Sequence, residues 1–413
     1  MIHKVKRIVK NPLFSGSLVM IVGSNVGNVI NYVYHLIMGR MLGPSAYGEL
    51  AVLLSLFGIL GVAATALNLV VVKYISAAED EKEIAGLVKW FESNTFRLSL
   101  IIFVLIAFIS PLAAKFLNVS SFITIILIAL AVVISFITTV VRSALQGLLM
   151  FTQNVASFLI EHILKLTIGV ILVVLGFSVG GAVFALVIAT LLSLIVSRKF
   201  LSLKPLNSTV PLPVKSVLYY SMPVLFQSIA ITSLYSTDLI LVKHFFNSQD
   251  AGIYAAVSTL GKIIFFTAGP ISSVMFPIVS RRHARGEDYQ KPLYYSLVAT
   301  ALSAIVVLLL FQFIPQQTLT VLYGTSYLSG AGLLIYFGIF ATLFTLSSLL
   351  INFHLSLKRS WVVVFPILAA IAQIIGIWSF HFSLLSVIMV SIVVSSGLFV
   401  SLFAYTVFKY YLR

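Results

Sequence analysis

The sequence predicts an all-α integral membrane protein of twelve transmembrane helices, built as two six-helix halves. Three observations predict it. Of 413 residues, 60% are hydrophobic and 9% are charged, whereas soluble domains carry about 25% charged residues, so too little polar surface exists to cover a soluble globule. The apolar residues come in blocks of about 20, the length a helix needs to cross a hydrocarbon core about 30 Å thick. Finally, the basic residues fall in the gaps between blocks and alternate in number from one gap to the next, as anchoring at one membrane face requires. Runs such as 100–109 and 303–310 do not alternate between apolar and polar residues, unlike the strands of a β-barrel.

The blocks place helices at 15–38, 48–72, 96–117, 121–145, 153–175, 179–197, 217–242, 252–278, 292–314, 329–353, 360–379 and 383–408. The first follows a basic start (Lys4, Lys6, Arg7) that resembles a signal peptide. It is long, however, and the Arg40 to Pro44 segment is a poor cleavage site, so it reads as a spanning helix. Between the second and third helices, residues 79–93 are the most charged part of the chain. Their apolar residues Ile84, Leu87, Val88 and Phe91 recur at helical spacing, which predicts an interfacial helix lying on the membrane. Tight turns are expected near Asn118 and at 379–382. The segment 198–216, with Pro205, Pro211 and Pro213 among lysines, predicts a linker between a 1–197 lobe and a 217–413 lobe. Pro223, Pro270 and Pro366 are candidate kinks.

With the N-terminus placed in the cytoplasm, 21 of the 26 basic residues fall on the inner side. Three (Arg40, Lys115 and Lys243) fall outside, and Lys165 and Lys262 lie within helices. This bias predicts a multi-pass protein of the cytoplasmic membrane with both termini inside. Arg142 is counted there as an inner-face anchor. A shift of 204 residues superposes the Gly39–Gly48 turn on the Lys243–Gly252 turn, with Ser24 on Ser228, Gly48 on Gly252 and Leu56 on Leu260. Six is an even number of crossings, so both halves insert the same way and are related by a parallel pseudo-twofold axis.

The net charge of +15 is accounted for by these anchoring residues, so no nucleic-acid partner is implied. The chain has no cysteine, which removes disulfides, thiolate catalysis and cysteine metal sites. It carries no P-loop and no HExxH motif. No metal and no cofactor are implied, and an ATP-driven mechanism within the chain is not expected.

Ionisable groups at membrane depth are expensive and mark sites. Of eleven acidic residues, only Glu161 and Asp238 fall inside helices. Glu161 and Lys165 are four apart and share a face; they read either as a working pair in a wet lumen or as a structural ion pair. Lys262 either grips an anion or snorkels outward. Asp238 has Lys262, Lys243 or His35 as candidate partners. Arg40 and the Gly43–Pro44 turn, and Lys243 with His244 in the equivalent turn, are weighted toward structure. The candidate substrate-binding or coupling set is thus Glu161, Lys165, Asp238, Lys262, Arg40, Lys243 and His35, with a net positive lumen expected.

Three stretches carry a family resemblance. They are Arg40 to Gly48; Gln146–Gly147 with Gly176 and Gly180–Gly181; and Asp238 followed by Ala251 to Ala256 and by Phe276 to Arg281. Together they resemble the Wzx-type oligosaccharide flippases of the multidrug/oligosaccharidyl-lipid/polysaccharide (MOP) exporter superfamily, whose fold is MATE-like. The resemblance implies two six-helix lobes forming a V around a lipid-accessible cavity. It also implies movement of a polyprenyl-diphosphate-linked oligosaccharide between leaflets, during surface polysaccharide biosynthesis, by alternating access. The partners implied are that lipid-linked substrate, membrane lipids and other polysaccharide-assembly membrane proteins. Two alternatives stand beside it: a cation-coupled drug or metabolite antiporter on the same fold, and a membrane polysaccharide polymerase or ligase. The short outer loops count against the enzyme.

Overall fold

The structure, a computed structural model, describes residues 12–202 and 214–411. The basic N-terminal run and most of the expected 198–216 linker lie outside them. The described residues are helical and include no strand.

In chain order the helices are α1 (Pro12–Leu60), α2 (Ala63–Ala77), α3 (Glu81–Phe116), α4 (Phe122–Gly147), α5 (Phe151–Val174), α6 (Ser178–Leu201) and α7 (Val214–Phe245). They continue as α8 (Ser248–Ala284), α9 (Gln290–Phe313), the short α10 (Pro315–Leu322), α11 (Leu334–Ser356), α12 (Val364–Ser379) and α13 (Leu384–Tyr411). Short 3-10 turns at Thr325–Leu333 and Ser360–Val363 lead into α11 and α12. Among the described residues, eleven continuous stretches are long and apolar enough to span a membrane. The first, Leu18–Ala77, is 60 residues long, about 90 Å of helix against a core of about 30 Å. It therefore holds two crossings, which makes twelve.

Local chemistry explains where helices begin and break. The turn expected after the first helix is reduced to one non-helical residue, Gly43, at φ 72, a left-handed conformation that glycine adopts without a Cβ penalty. Pro44 follows it. Helix α3 starts on Asp80, whose side chain accepts from the Glu83 backbone N–H at 2.7 Å, while the Glu83 carboxylate accepts from Glu79 N–H at 2.8 Å. Ser121 caps α4 and Asn247 caps α8 in the same manner, as short polar side chains do for the first unpaired N–H groups.

Two expectations need correction here. Residues 81–93 are not a separate interfacial helix; they are the first turns of the 36-residue α3. Their apolar face is the predicted one, but Leu87, Val88 and Phe91 pack on Val70, Val71, Ile75, Val140 and Ala144, so it buries against protein. Pro366 is the third residue of α12, where no backbone donor is lost, and it kinks nothing. Pro270 does lie inside α8, with Pro277.

The chain forms two compact units. The first comprises residues up to Met38 with Leu56–Leu225, and the second comprises Gly39–Ser55 with Phe226–Arg413. In the first, α4 and α6 are the most enclosed helices, and α4 packs against α2, α3 and α6 while α5 packs on α6. In the second, α11 takes the enclosed place, against α8, α9 and α13. The outer surfaces of α3 and α9 are apolar and exposed, as at Phe108, Leu112, Leu302 and Val306, which is the composition of a lipid-facing surface.

Within the second unit, the 39–55 segment is held closely. The Tyr47 hydroxyl lies 3.2 Å from Thr259 Oγ1 and 3.1 Å from the Tyr323 hydroxyl. Tyr327 donates to the Gly39 carbonyl at 2.7 Å. The two glycines matched by the 204-residue shift meet face to face: a Cβ on Gly252 would lie 1.7 Å from the Pro44 carbonyl oxygen, and one on Gly48 would lie 2.7 Å from Gly252 N.

Candidate functional site

In the first unit, α4 and α5 present an intramembrane charge cluster. Arg142 Nε donates to Ser157 Oγ at 3.0 Å. Its Nη2 reaches the Ser157 carbonyl at 2.8 Å, Ser193 Oγ at 2.6 Å and Glu161 Oε2 at 2.7 Å. The two charged side chains are 16% and 15% exposed. Arg142, counted from sequence as an inner-face anchor, is thus partly buried and paired with Glu161. It lies on the enclosed helix α4, where a carboxylate, two hydroxyls and a carbonyl meet its Nε and Nη2, the charge-assisted contacts that a guanidinium favours.

Glu161 and Lys165 share a face of α5, but the ion pair is Glu161 with Arg142. Lys165 is buried. Its Nζ donates to Asn31 Oδ1 of α1 and stands 4.5 Å from the centroid of the Tyr34 ring, a cation–π placement. His35 meets Tyr34 edge to face at 5.8 Å. Lys165 and His35 thus flank one tyrosine, one helical turn along α5 from the Arg142–Glu161 pair.

The second unit holds the other cluster. Asp238 of α7 is fully buried. One carboxylate oxygen accepts from the Tyr254 hydroxyl at 2.8 Å, and the other has no side-chain hydrogen-bond partner among the described residues. Lys262 of α8 sits 4.0 Å from the Tyr235 ring centroid and interacts with Asp238 through space, without an ion pair within 4 Å among the described residues. Lys243 is fully buried and donates to Ser248 Oγ at 2.6 Å, and the charge of Glu49 acts on it through space. Arg40 donates to the Thr320 carbonyl at 3.2 Å.

Among the described residues, each unit also holds a partly open, partly polar cavity, beside a more apolar one in the second unit near Gly376, Phe380 and Met389. That of the first unit, about 200 Å³, is lined by Ser24, Asn68, Thr139, Arg142, Gln146 and Asn154, with Met20, Val155 and Phe158 completing the wall. Asn68 Nδ2 donates to Ser143 Oγ at 2.8 Å and to Gln146 Oε1 at 3.3 Å. That of the second unit, about 380 Å³, lies among α7, α8 and α11 and is more apolar, with Phe265, Phe276 and Leu349 beside Ser272, Ser348 and Asn352. A shift of 204 residues carries Asn68 onto Ser272, and Ser272 accepts from Asn352 Nδ2 at 3.0 Å. The first cavity is also walled by α5, through Asn154, Val155 and Phe158, which has no counterpart in the lining of the second. Reasoning from sequence singled out the charged residues and passed over Asn68 and Asn154. The available signal was their polarity within otherwise apolar blocks, where an amide without a partner is costly.

Among the described residues the bundle thus holds charges and polar cavities within helices long and apolar enough to cross a membrane, and ionisable groups at such depth mark functional sites. The solved structures agree on the fold. The lipid II flippase MurJ in an inward closed conformation superposes with a TM-score of 0.75 at 13% identity, over 94% of this chain and 87% of that one. An inward-facing multidrug resistance MATE family transporter of the MOP superfamily gives 0.67 at 14%, over 94% and 98%. A MOP superfamily transporter from Pyrococcus furiosus gives 0.60 at 17%, over 95% of each. No curated protein matches the chain by sequence. The polysaccharide biosynthesis protein family matches residues 13–283, and the chain belongs to that family.

Proposed function

We propose that the protein flips a polyprenyl-diphosphate-linked oligosaccharide from the inner to the outer leaflet of the cytoplasmic membrane by alternating access, as a transporter and not an enzyme. The observation that carries this reading is the polar cavity of the first unit, lined by a paired guanidinium and three amides within membrane-spanning helices of a polysaccharide biosynthesis family member. A headgroup of diphosphate and sugar hydroxyls does not cross hydrocarbon unaided. It needs a polar path of weak, distributed contacts, because it must also leave. The similarity to a lipid II flippase fold supports the same substrate class. The six-helix halves 1–197 and 217–413, cytoplasmic termini, and contact with other polysaccharide-assembly membrane proteins belong to this reading. In it, Lys165 and Lys262 contribute cationic attraction for the diphosphate, with Glu161 as a coupling group, while His35, Arg40 and Lys243 support the helix ends.

The test is complementation of a flippase-deficient strain, scored for surface polysaccharide, beside a cationic-dye efflux assay. Lys262→Ala and Lys165→Ala should each reduce surface polysaccharide, and arginine at either position should partly restore it. The buried Asp238 oxygen with no side-chain partner among the described residues favours the antiporter as the second reading, since a bound cation would satisfy it. Loss of dye efflux in Asp238→Asn, with polysaccharide unaffected by either lysine change, would establish the antiporter and overturn the flippase.

A further inference from the structure

We propose that the cavity of the first unit is a saccharide subsite that takes one neutral sugar ring of the transported headgroup; this rests on the flippase reading. The inference comes from hydrogen-bonding capacity left unused on one small surface. Asn154 is 7% exposed, lines the cavity, and its side-chain amide makes no hydrogen bond among the described residues. Asn68 and Gln146 bond to each other through Asn68 Nδ2 and Gln146 Oε1. That leaves Asn68 Oδ1 as an acceptor and Gln146 Nε2 as a donor without partners among the described residues. Arg142 commits Nε and Nη2 to Ser157, Ser193 and Glu161, and its Nη1 has no partner there. Asn68, Gln146 and Arg142 are half-buried, so their spare atoms face the open volume of the cavity, where water or a ligand can meet them. Here donors and acceptors are both left over, the pattern that a ring bearing hydroxyl or acetamido groups complements, since each hydroxyl both donates and accepts.

Charge and shape narrow the ligand further. The positive charge of Arg142 is matched by Glu161 at 2.7 Å, and every other group lining the cavity is neutral. A diphosphate or a second carboxylate would find no uncompensated cation, whereas a neutral sugar asks for none. Phe158 adds an aromatic wall, already ordered by Arg142 at 5.7 Å and His162 at 4.3 Å between centres. Such a wall suits the apolar C–H face of a pyranose. A volume near 200 Å³ falls below the usual range of about 300–1,000 Å³ for drug-sized ligands, which fits one ring and not a chain of sugars. The cavity of the second unit does not offer this: its walls are largely apolar, and Asn352 already donates to Ser272.

The test uses the full chain in lipid nanodiscs and two probes: a polyprenyl diphosphate, and the same lipid carrying a single N-acetylhexosamine. The unaltered protein should bind the glycosylated lipid about tenfold more tightly, the advantage of two net hydrogen bonds. Asn154→Leu, which removes no bond seen in the fold, should erase most of that advantage and leave affinity for the bare diphosphate within twofold. Gln146→Met serves the same purpose if Asn154→Leu melts lower than the unaltered protein by more than a few degrees. Equal binding of the two lipids by the unaltered protein would overturn the subsite while leaving the flippase reading intact. So would an advantage that survives either stable variant, which would mean the cavity holds water alone. Failure to bind either lipid would remove the flippase reading itself.

Discussion

The Arg142–Glu161 pair makes a quantitative prediction about how the first unit is held together. Glu161→Gln keeps the shape of the side chain and removes its charge. Arg142 then keeps Ser157 and Ser193 but loses the carboxylate at 2.7 Å. Hydrogen bonds to charged groups contribute about 1.5–3 kcal/mol, and breaking a fully buried pair costs about 3–5 kcal/mol. With the side chains 16% and 15% exposed, water screens part of this, so the lower part of the range applies, about 2 kcal/mol. Arg142→Met should cost more, because it strands a carboxylate that has no other hydrogen-bond partner among the described residues. The double variant Arg142→Met with Glu161→Leu removes both charges, so its loss should fall short of the sum of the single losses by about 2 kcal/mol. The assay is reversible unfolding in mixed micelles, followed by tryptophan fluorescence. A second cycle between Glu161 and Lys165 should return a clearly smaller coupling, because Lys165 is engaged by Asn31 and Tyr34. Additivity within about 0.5 kcal/mol for the Arg142 cycle, or a larger coupling for the Lys165 cycle, would refute the assignment of partners.

Two further outcomes follow from the geometry. Gly252→Ala drives a Cβ into the Pro44 carbonyl, a backbone atom that cannot swing aside, and should cost about 1–3 kcal/mol as overpacking does; Gly180→Ala, with nothing within 4 Å of its Cβ, should leave the melting temperature unchanged or slightly raised. The chain has no native cysteine, so Ser202→Cys, exposed at the end of α6, should be labelled by an impermeant maleimide only after cells are permeabilised, and labelling of intact cells would reverse the proposed orientation.

Much of the fold was legible because lipid imposes it. A helix must be about 20 apolar residues long to cross, so the block lengths locate the crossings, and the face of residues 84–91 that buries is the one their spacing marks. What neighbours that face was not legible: the same periodicity serves a helix lying on lipid and one lying on protein, and only tertiary packing put Leu87 and Phe91 against Ile75 and Val140. The candidate site divides in the same way. Intramembrane charge is visible in a sequence, so Glu161, Lys165, Asp238 and Lys262 stand out. Which cation Glu161 meets is not, because Arg142 is 19 residues away on another helix, and a basic residue near a helix end looks like an anchor. Asn68, Gln146 and Asn154 are neutral and scattered over three helices, so nothing short of the folded chain shows that they share one wall.

The residues of Gly39–Ser55 keep company with a part of the chain made much later. Tyr47 meets Tyr323 across a sequence separation of 276 residues. At a synthesis rate of about 5–20 residues per second, that tyrosine waits roughly 14–55 s on the ribosome–membrane complex before its partner exists. During that interval the glycine faces at Gly48 and the Tyr47 hydroxyl have no native counterpart. A nascent first half therefore spends most of its synthesis with an unfinished seam in its first hairpin, which a bilayer chaperone or lipid headgroups must cover until Ala251–Thr259 and Tyr323–Tyr327 arrive. A chain truncated before residue 250 would keep that seam open permanently. Termination before residue 327 should consequently be read by quality control at the first hairpin, far upstream of the lesion.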